Sequence, residues 1–207
     1  MKQLLAIFVV GAVLCAGMAF NVKAEDYSGK TTLENLQAAF NGESNAKSRY
    51  EAFAVKADEE GYKSVAALFR AASKSESIHA EKHSTVIKKM SAEPKAEIVK
   101  PEVKSTKENL EAALKGETEE RDNMYPAFIK QAEKDKESGA VRSFKGALAA
   151  EVEHAKFIKQ ALSELDSWKN SGKEFLVCII CGYMTMDPQL KKCPVCSAPR
   201  SKFEVFK

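Results

Sequence analysis

Apolar residues return at helical spacing along most of the chain, and the pattern is laid down twice. Leu36, Phe40, Glu43, Tyr50, Ala54 and Ala57 follow one another at intervals of three, four or seven, so they share one helix face, with a carboxylate on it. That helix starts at Thr31, whose Thr31-Thr-Leu-Glu34 is a capping box, and Gly61-Tyr62 ends it. A second helix is predicted from about Lys63 to Met90, with Leu68, Phe69, Ala72, Glu76, His79 and Val86 inward. Pro94 and Pro101 break the pattern between Ser91 and Lys104. A connection that long exceeds a tight hairpin and can run the length of a bundle, which makes the second and third helices parallel. The third helix restarts at a second capping box, Ser105-Thr-Lys-Glu108. Ser138-Gly139 turns the chain into a fourth, running to about Ser167 with Phe144, Ala147, Leu148, Glu151, His154, Ile158 and Leu162 inward.

The two halves are copies. Thr32–Glu43 is echoed by Thr106–Glu117 at an offset of 74, and Ala52-Phe53, Phe69, Glu76 and His79 recur as Ala127-Phe128, Phe144, Glu151 and His154 at an offset of 75. The offset grows because one residue is inserted between Glu117 and Ala127, beside Pro126. Proline cannot donate a helical hydrogen bond, so a π-bulge is predicted there. Glu120 is a second departure, standing where the first copy has Ala46. Gly42 and Gly116 are retained inside both helices, either for close helix approach at the metal or by chance retention in a repeat.

Each copy supplies a lone glutamate and a Glu-x-x-His pair, whose i and i+3 positions aim at one point. Two such sets make the ligands of a dinuclear carboxylate four-helix bundle holding iron or manganese. Glutamates of helices usually belong to solvated faces. Here Glu43, Glu76, Glu117, Glu120 and Glu151 fall in register with His79 and His154 across a repeat, and buried carboxylates need cations. Five carboxylates leave a net charge of about −1 against two ferrous ions and about +1 against two ferric ions. His83, one turn beyond His79, is expected to be a packed or surface residue rather than a ligand. Tyr50 and Tyr125 either hydrogen-bond ligand carboxylates across the bundle or are core aromatics with a hydroxyl at the rim.

The 207 residues carry 29% charged and 44% hydrophobic residues, a helix-prone composition with room for one core and a small annex. A net charge of +3 argues against a nucleic-acid surface or a polybasic membrane patch. Residues 1–24 have Lys2, an apolar run from Leu4 to Phe20, and Val22-Lys23-Ala24 ahead of Glu25-Asp26. This pattern is expected to be a signal peptide cleaved near Ala24, which makes the protein exported and periplasmic; an uncleaved run would instead anchor it in a membrane. Residues 25–168 are then the bundle and residues 169–207 a separate tail. Four of the five cysteines lie there, as Cys178-x-x-Cys181 and Cys193-x-x-Cys196. Paired knuckles of this kind make a tetrahedral four-thiolate site, for which thiolate chemistry alone leaves iron and zinc both open.

Gly42-Glu43-Ser44, Glu76-Ser-Ile-His79-Ala80, Gly116-Glu117-Thr-Glu-Glu120, Met124-Tyr125-Pro126 and Glu151-Val-Glu-His154, followed by the two knuckles, resemble the rubrerythrins from residue 30 onward. Cys181-Gly-Tyr and Cys193-Pro-Val-Cys196-Ser-Ala-Pro separately resemble rubredoxin. The resemblance implies a mainly α protein: a ferritin-like four-helix bundle with one long crossover, plus a small C-terminal rubredoxin-like domain whose metal is held by four cysteines. It implies a di-iron centre held by Glu43, Glu76, Glu117, Glu120, Glu151, His79 and His154, and one iron held by Cys178, Cys181, Cys193 and Cys196. It implies a peroxidase that reduces hydrogen peroxide to water in oxidative-stress defence. In that chemistry Glu120 and His79 exchange as ligands on reduction, and Tyr50 and Tyr125 support the ligands. It further implies a head-to-tail homodimer that sets one chain's tail against another's bundle, and an external electron-donor protein. An iron-handling ferroxidase with a structural metal tail is the competing expectation. Rubrerythrins are generally cytoplasmic, so the apolar N-terminus departs from the pattern and leaves the donor open.

Overall fold

The two capping boxes start the two halves of the molecule as expected. In a computed structural model describing residues 27, 29–169 and 171–207, Thr31 Oγ1 accepts from Glu34 N and Glu34 Oε2 accepts from Thr31 N at 2.7 Å. Ser105 and Glu108 repeat the arrangement. The chain forms α1 (Thr32–Glu59), α2 (Lys63–Lys89), α3 (Thr106–Glu119), α4 (Tyr125–Lys134), α5 (Ser138–Ser163) and α6 (Leu165–Trp168). Residues 1–24, the expected signal peptide or anchor, lie outside the described residues. Among the described residues no helix is long and apolar enough to cross a membrane.

The crossover is extended because α1 offers it a ladder. Gln37, Asn41 and Asn45, four apart on one helix face, accept from the backbone N–H of Lys95, Glu97 and Val99 at 3.1, 2.8 and 2.8 Å. The segment therefore travels alongside α1 in the same direction. Thr106 N then donates to Glu60 Oε2 at 2.8 Å, so α3 begins where α1 ends. This makes α2 and α3 parallel, as the long connection predicts. The repeat reproduces the contact: Thr32 N and Oγ1 donate to Asp135 Oδ2, and Asp135 is the equivalent of Glu60.

A π-helical turn, Glu120–Met124, joins α3 to α4, and Tyr125 N donates to Glu120 O, five residues back. The inserted residue and the missing Pro126 N–H are accommodated in that one turn. The turn before α5 falls at Asp135–Glu137 rather than at Ser138-Gly139, which are already helical; Lys136, the equivalent of Gly61, adopts the same left-handed conformation. The fourth helix also breaks after Ser163 before α6 resumes.

Two buried apolar clusters lie on either side of the mid-bundle glutamates. One holds Tyr50, Phe53, Leu68, Phe69 and Ile158, and the other holds Leu36, Ile87, Tyr125, Phe128 and Phe144. Phe40, Val86, Leu148 and Leu162, expected inward, pack at the margins of these clusters. The tail forms strands β1 (Phe175–Cys178), β2 (Met184–Thr185) and β3 (Phe203–Phe206) in the antiparallel order β2-β1-β3. Trp168, Phe175, Val177 and Met184 belong to the first bundle cluster. The composition boundary at residues 169–173 thus separates two sequence types that share one core.

Gly42 and Gly116 do not serve close helix approach. A Cβ at Gly42 would meet nothing within 4 Å, and one at Gly116 would find only Arg49 Nη2 at 3.8 Å. Gly42→Ala is expected to stabilise the fold by about 0.5–1 kcal/mol, measured by urea unfolding, because alanine restricts the unfolded chain and fits the helix.

Candidate metal centres

Four helices bring six of the seven bundle residues singled out from the sequence into two overlapping quartets. Glu43, Glu76, His79 and Glu151 form one, and Glu117, Glu151, His154 and Glu76 form the other, with ligand atoms within 4.8 Å of one another in each. The repeat offset exchanges the two sets. Glu76 and Glu151 belong to both, so they stand where bridging carboxylates would. All six are buried.

The spacings inside each quartet are those of atoms gathered around an ion. His79 Nδ1 lies 3.0 Å from Glu76, 3.3 Å from Glu151 and 3.6 Å from Glu43. His154 Nδ1 lies 2.8 Å from Glu151, 3.1 Å from Glu76 and 3.3 Å from Glu117. Ligands about 2.1 Å from a shared metal are separated by roughly 3 Å. Glu43 Oε2, Glu76 Oε1 and Glu151 Oε1 are buried without a hydrogen bond, which a cation would satisfy. The residues therefore fit a dinuclear centre.

Glu120 is the exception. It sits on the π turn, outside both quartets and only partly buried. Of the Glu120–His79 pair that the resemblance makes exchangeable, His79 is in place. With Glu120 outside, the four remaining carboxylates balance two divalent ions, where five would leave an excess.

Tyr50 and Tyr125 each donate a short hydrogen bond to the lone glutamate of the other copy, Tyr50 to Glu117 and Tyr125 to Glu43. Both rings are buried, so of the two readings open for them, the ligand-supporting one describes the contacts. His83 is packed, as expected, with Nε2 3.2 Å from Tyr125 Oη and Nδ1 2.9 Å from Ser143 Oγ. Arg49 was missed by sequence reasoning. Its guanidinium lies 5.5 Å from the Tyr50 ring centre and acts on Glu117 and Glu120. A cation one residue before a ligand-supporting tyrosine was the available signal.

Without metal, protons take the place of cations. Burial, then the charges of Glu76 and Glu151, push Glu43 well above the usual carboxylate range, while burial with Glu76 and Glu117 does the same to Glu151. Burial and the Glu117 and Glu76 charges push Glu120 up to about 8. Burial also works on Glu76, but His154 and His79 outweigh it and hold that carboxyl low. The imidazoles resist charging by burial, yet their carboxylate partners raise both. Burial and the charge of His79 hold His83 down to about 3, so it is neutral.

In the tail, Cys178 Sγ lies 3.6 Å from Cys196 Sγ and Cys181 Sγ lies 3.4 Å from Cys193 Sγ. These are too long for disulfides, and close to the edge of a tetrahedron with metal–sulfur bonds of about 2.3 Å. Burial pushes the Cys178 thiol up to about 11 and Cys181 higher still, so a cation is needed to hold them as thiolates. The first knuckle is linked to the bundle through Gly182. Ser75 Oγ donates to Gly182 O at 2.6 Å, and a Cβ at Gly182 would fall 2.4 Å from His79 Nε2. Ser75 and Gly182 were not singled out from the sequence, since nothing in it announces a contact between residues so far apart in the chain.

Family models agree with this architecture. A rubrerythrin model matches residues 34–162, and a model of the rubrerythrin rubredoxin-like domain matches residues 177–204. The chain belongs to the rubrerythrin family. It is 36% identical over 191 residues to nigerythrin of Nitratidesulfovibrio vulgaris, covering 90% of this chain and 93% of that protein. Rubrerythrin-2 of Clostridium acetobutylicum is 34% identical over 179 residues, covering 84% and 96% of the two chains. The structure of fully reduced, all-ferrous nigerythrin superposes with a TM-score of 0.80 at 33% identity, covering 98% of this chain and 100% of that one. A Mycobacterium tuberculosis bacterioferritin shares the fold over 68% of this chain and 92% of its own, at 22% identity and a TM-score of 0.62. The centres are accordingly a di-iron carboxylate site and a rubredoxin-like four-cysteine site.

Proton binding sets the expected stability profile of the metal-free protein. Glu43, Glu120, Glu151, His79 and His154 hold protons more tightly folded than unfolded. Their contribution is therefore present at low pH and is lost as pH rises, for Glu120 between 4.5 and about 8. Glu76 and His83 act oppositely, losing their contributions as pH falls below 4.5 and below 6.5 respectively. Above the range in which His83 opposes them, the raised groups dominate, so the melting temperature of chelated protein should fall from about pH 7 to about pH 9. A divalent ion at about a thousandfold excess over its Kd should restore about 4 kcal/mol, or roughly 8–16 °C. Calorimetry showing a pH-independent metal-free melting temperature would contradict this account.

Proposed function

We propose that the protein is a non-haem di-iron peroxidase that reduces hydrogen peroxide to water, H2O2 + 2e− + 2H+ → 2H2O, with electrons entering through the four-cysteine site. The observation that carries this reading is the seating of Cys181-Gly182 against His79. An electron carrier placed one glycine from a ligand of the dinuclear centre has a use in a peroxidase and none in an iron store.

Bound iron would supply the redox equivalents: two ions held by Glu43, Glu76, Glu117, Glu151, His79 and His154, and a third by the four cysteines. The protein's own groups do the rest. Tyr50 and Tyr125 orient Glu117 and Glu43 through their hydroxyls. The apolar clusters on both sides keep bulk water from the carboxylates. Glu120, on the irregular π turn, would take up or release the ligand position that it exchanges with His79 in the family. Arg49 supplies a fixed positive charge beside Glu117 and Glu120.

The proposal includes an external electron-donor protein, action outside the cytoplasm after export, and pairing of two chains. A head-to-tail dimer would bring a tail to a bundle, and within one chain the tail already lies there. The competing ferroxidase reading draws on the bacterioferritin-like fold, which carries no information about the tail.

Anaerobically reduced, iron-loaded protein mixed with peroxide should show oxidation of the di-iron site followed by reddening of the tail. Oxidation should be faster with peroxide than with oxygen, and reddening should be first order and independent of protein concentration. A colourless zinc tail, or equal rates with the two oxidants, would favour the ferroxidase.

Gly182→Ala is expected to slow reddening at least tenfold. The added methyl pushes the knuckle off His79, and a persisting visible spectrum of the four-cysteine iron shows that the knuckle itself tolerates alanine at its positive φ. Unchanged reddening in this variant would remove the contact from the electron path.

A further inference from the structure

The repeat provides an internal control for everything around the dinuclear site, and one asymmetry stands out. On one side, Tyr125 donates to Glu43, His83 Nε2 lies 3.2 Å from Tyr125 Oη, and Ser143 Oγ lies 2.9 Å from His83 Nδ1. Ser143 lines a surface groove of about 780 Å³ between α2, α5 and the knuckles, shared with Lys82, Arg142 and Ile180. On the other side Tyr50 donates to Glu117, but the positions equivalent to His83 and Ser143 are Ile158 and Leu68. Both are fully buried in the apolar cluster that contains Tyr50. One half has a polar path leading from its glutamate through the tyrosine to the groove; in the other the same path is blocked by hydrocarbon, and the polar groups there, Arg49 and Glu120, lie beside Glu117 rather than behind the tyrosine.

We propose that Ser143, His83 and Tyr125 form a proton-conducting chain from the groove to Glu43, making that side the proton entrance of the site. The polarity of the hydrogen bonds is consistent from end to end. Since the Tyr125 hydroxyl donates to Glu43, its oxygen accepts from His83 Nε2–H. Nδ1 is then the unprotonated nitrogen and accepts from Ser143, whose oxygen accepts from water in the groove. One transit moves one proton. A proton of hydronium in the groove bonds to Ser143 Oγ, leaving water, as the serine proton passes to Nδ1, the Nε2 proton passes to Tyr125 Oη, and the tyrosine proton passes to Glu43. The ring gains a proton on one nitrogen as it loses one from the other, so it stays neutral and leaves as the opposite tautomer. Reorientation of the hydroxyls and the ring tautomer then resets the path. The demand for two protons per peroxide rests on the peroxidase reading; the path itself does not.

The test begins with full-length protein loaded with zinc at both centres, which is diamagnetic, and with 15N-labelled histidine. Exchange of the His83 ring N–H with water is measured by NMR in wild type, Ser143→Ala, Ser143→Thr and, as a control on the groove wall, Thr85→Ala. Ser143→Ala should slow exchange at least tenfold, Ser143→Thr should restore it, and Thr85→Ala should leave it unchanged. The iron-loaded, reduced forms are then mixed with peroxide in H2O and D2O. Ser143→Ala should slow oxidation and enlarge the solvent isotope effect, and Ser143→Thr should reverse both changes. Exchange as fast in Ser143→Ala as in wild type overturns the proton path, whatever reaction the protein performs. Slowed exchange in a protein that does not react with peroxide keeps the path and overturns the peroxidase reading instead.

Discussion

Four carboxylates and two imidazoles share the middle of this bundle, and no arrangement of protein groups alone makes that comfortable. Transferring an ionised carboxylate from water to a protein interior carries an effective penalty of several kcal/mol. Two imidazoles can take up at most two positive charges, and burial opposes that charging. The metal-free site answers by raising Glu43 and Glu151 until they hold protons. Two divalent cations remove the problem, and most of the surrounding architecture serves to keep the six residues ready for them. The long crossover, pinned to α1 by three side-chain amides, makes α2 and α3 parallel. Tyr50 and Tyr125 then tie each lone glutamate to the opposite repeat.

Duplication explains the symmetry of the site, and the departures from duplication mark where its two sides differ chemically. The inserted residue beside Pro126 becomes a π turn carrying Glu120. His83 and Ser143 replace an isoleucine–leucine pair, opening one side to solvent through polar groups. Arg49 stands where the other repeat has Met124, adding a fixed charge near Glu120. All three differences bear on charge or protons, so the two ion positions cannot behave alike during a redox cycle.

Much of this was legible in the chain because a repeat converts weak signals into strong ones. A single buried glutamate is indistinguishable from a surface one in sequence, but Glu43 and Glu117 at matching register are not. The capping boxes, the parallel crossover and the π turn followed from local rules that tertiary context did not override. Glu120, one turn from Glu117, reads in the sequence as an extra carboxylate of the site; it stands at the start of the π turn, outside the two quartets, with the charges of Glu117 and Glu76 acting on it. Gly42 and Gly116 suggested close packing, but glycine in a helix reports only the absence of a side chain, and the space beside them is open or bounded by a flexible arginine. Ser75 and Ser143 carry no local signature, and Gly182 announces only the turn of its own knuckle, because the long-range contacts of all three are fixed by how distant segments meet.

The tail shows how far a boundary in composition can differ from a boundary in structure. Lys169–Lys173 is polar, and the cysteine-rich segment after it looks like an independent module. Yet Trp168, Phe175, Val177 and Met184 are buried with the bundle's own aromatics. Burial of side chains this large contributes about 1.5–3 kcal/mol each, enough to hold a module that small in one orientation. At the end of that surface is Gly182, in a left-handed conformation with φ of 85° and no room for a side chain against His79. The first of these needs is local to the knuckle, since the turn after Cys181 requires positive φ. The second need exists only when the knuckle is pressed against an imidazole, so one residue satisfies both the fold of the tail and its contact with the redox site.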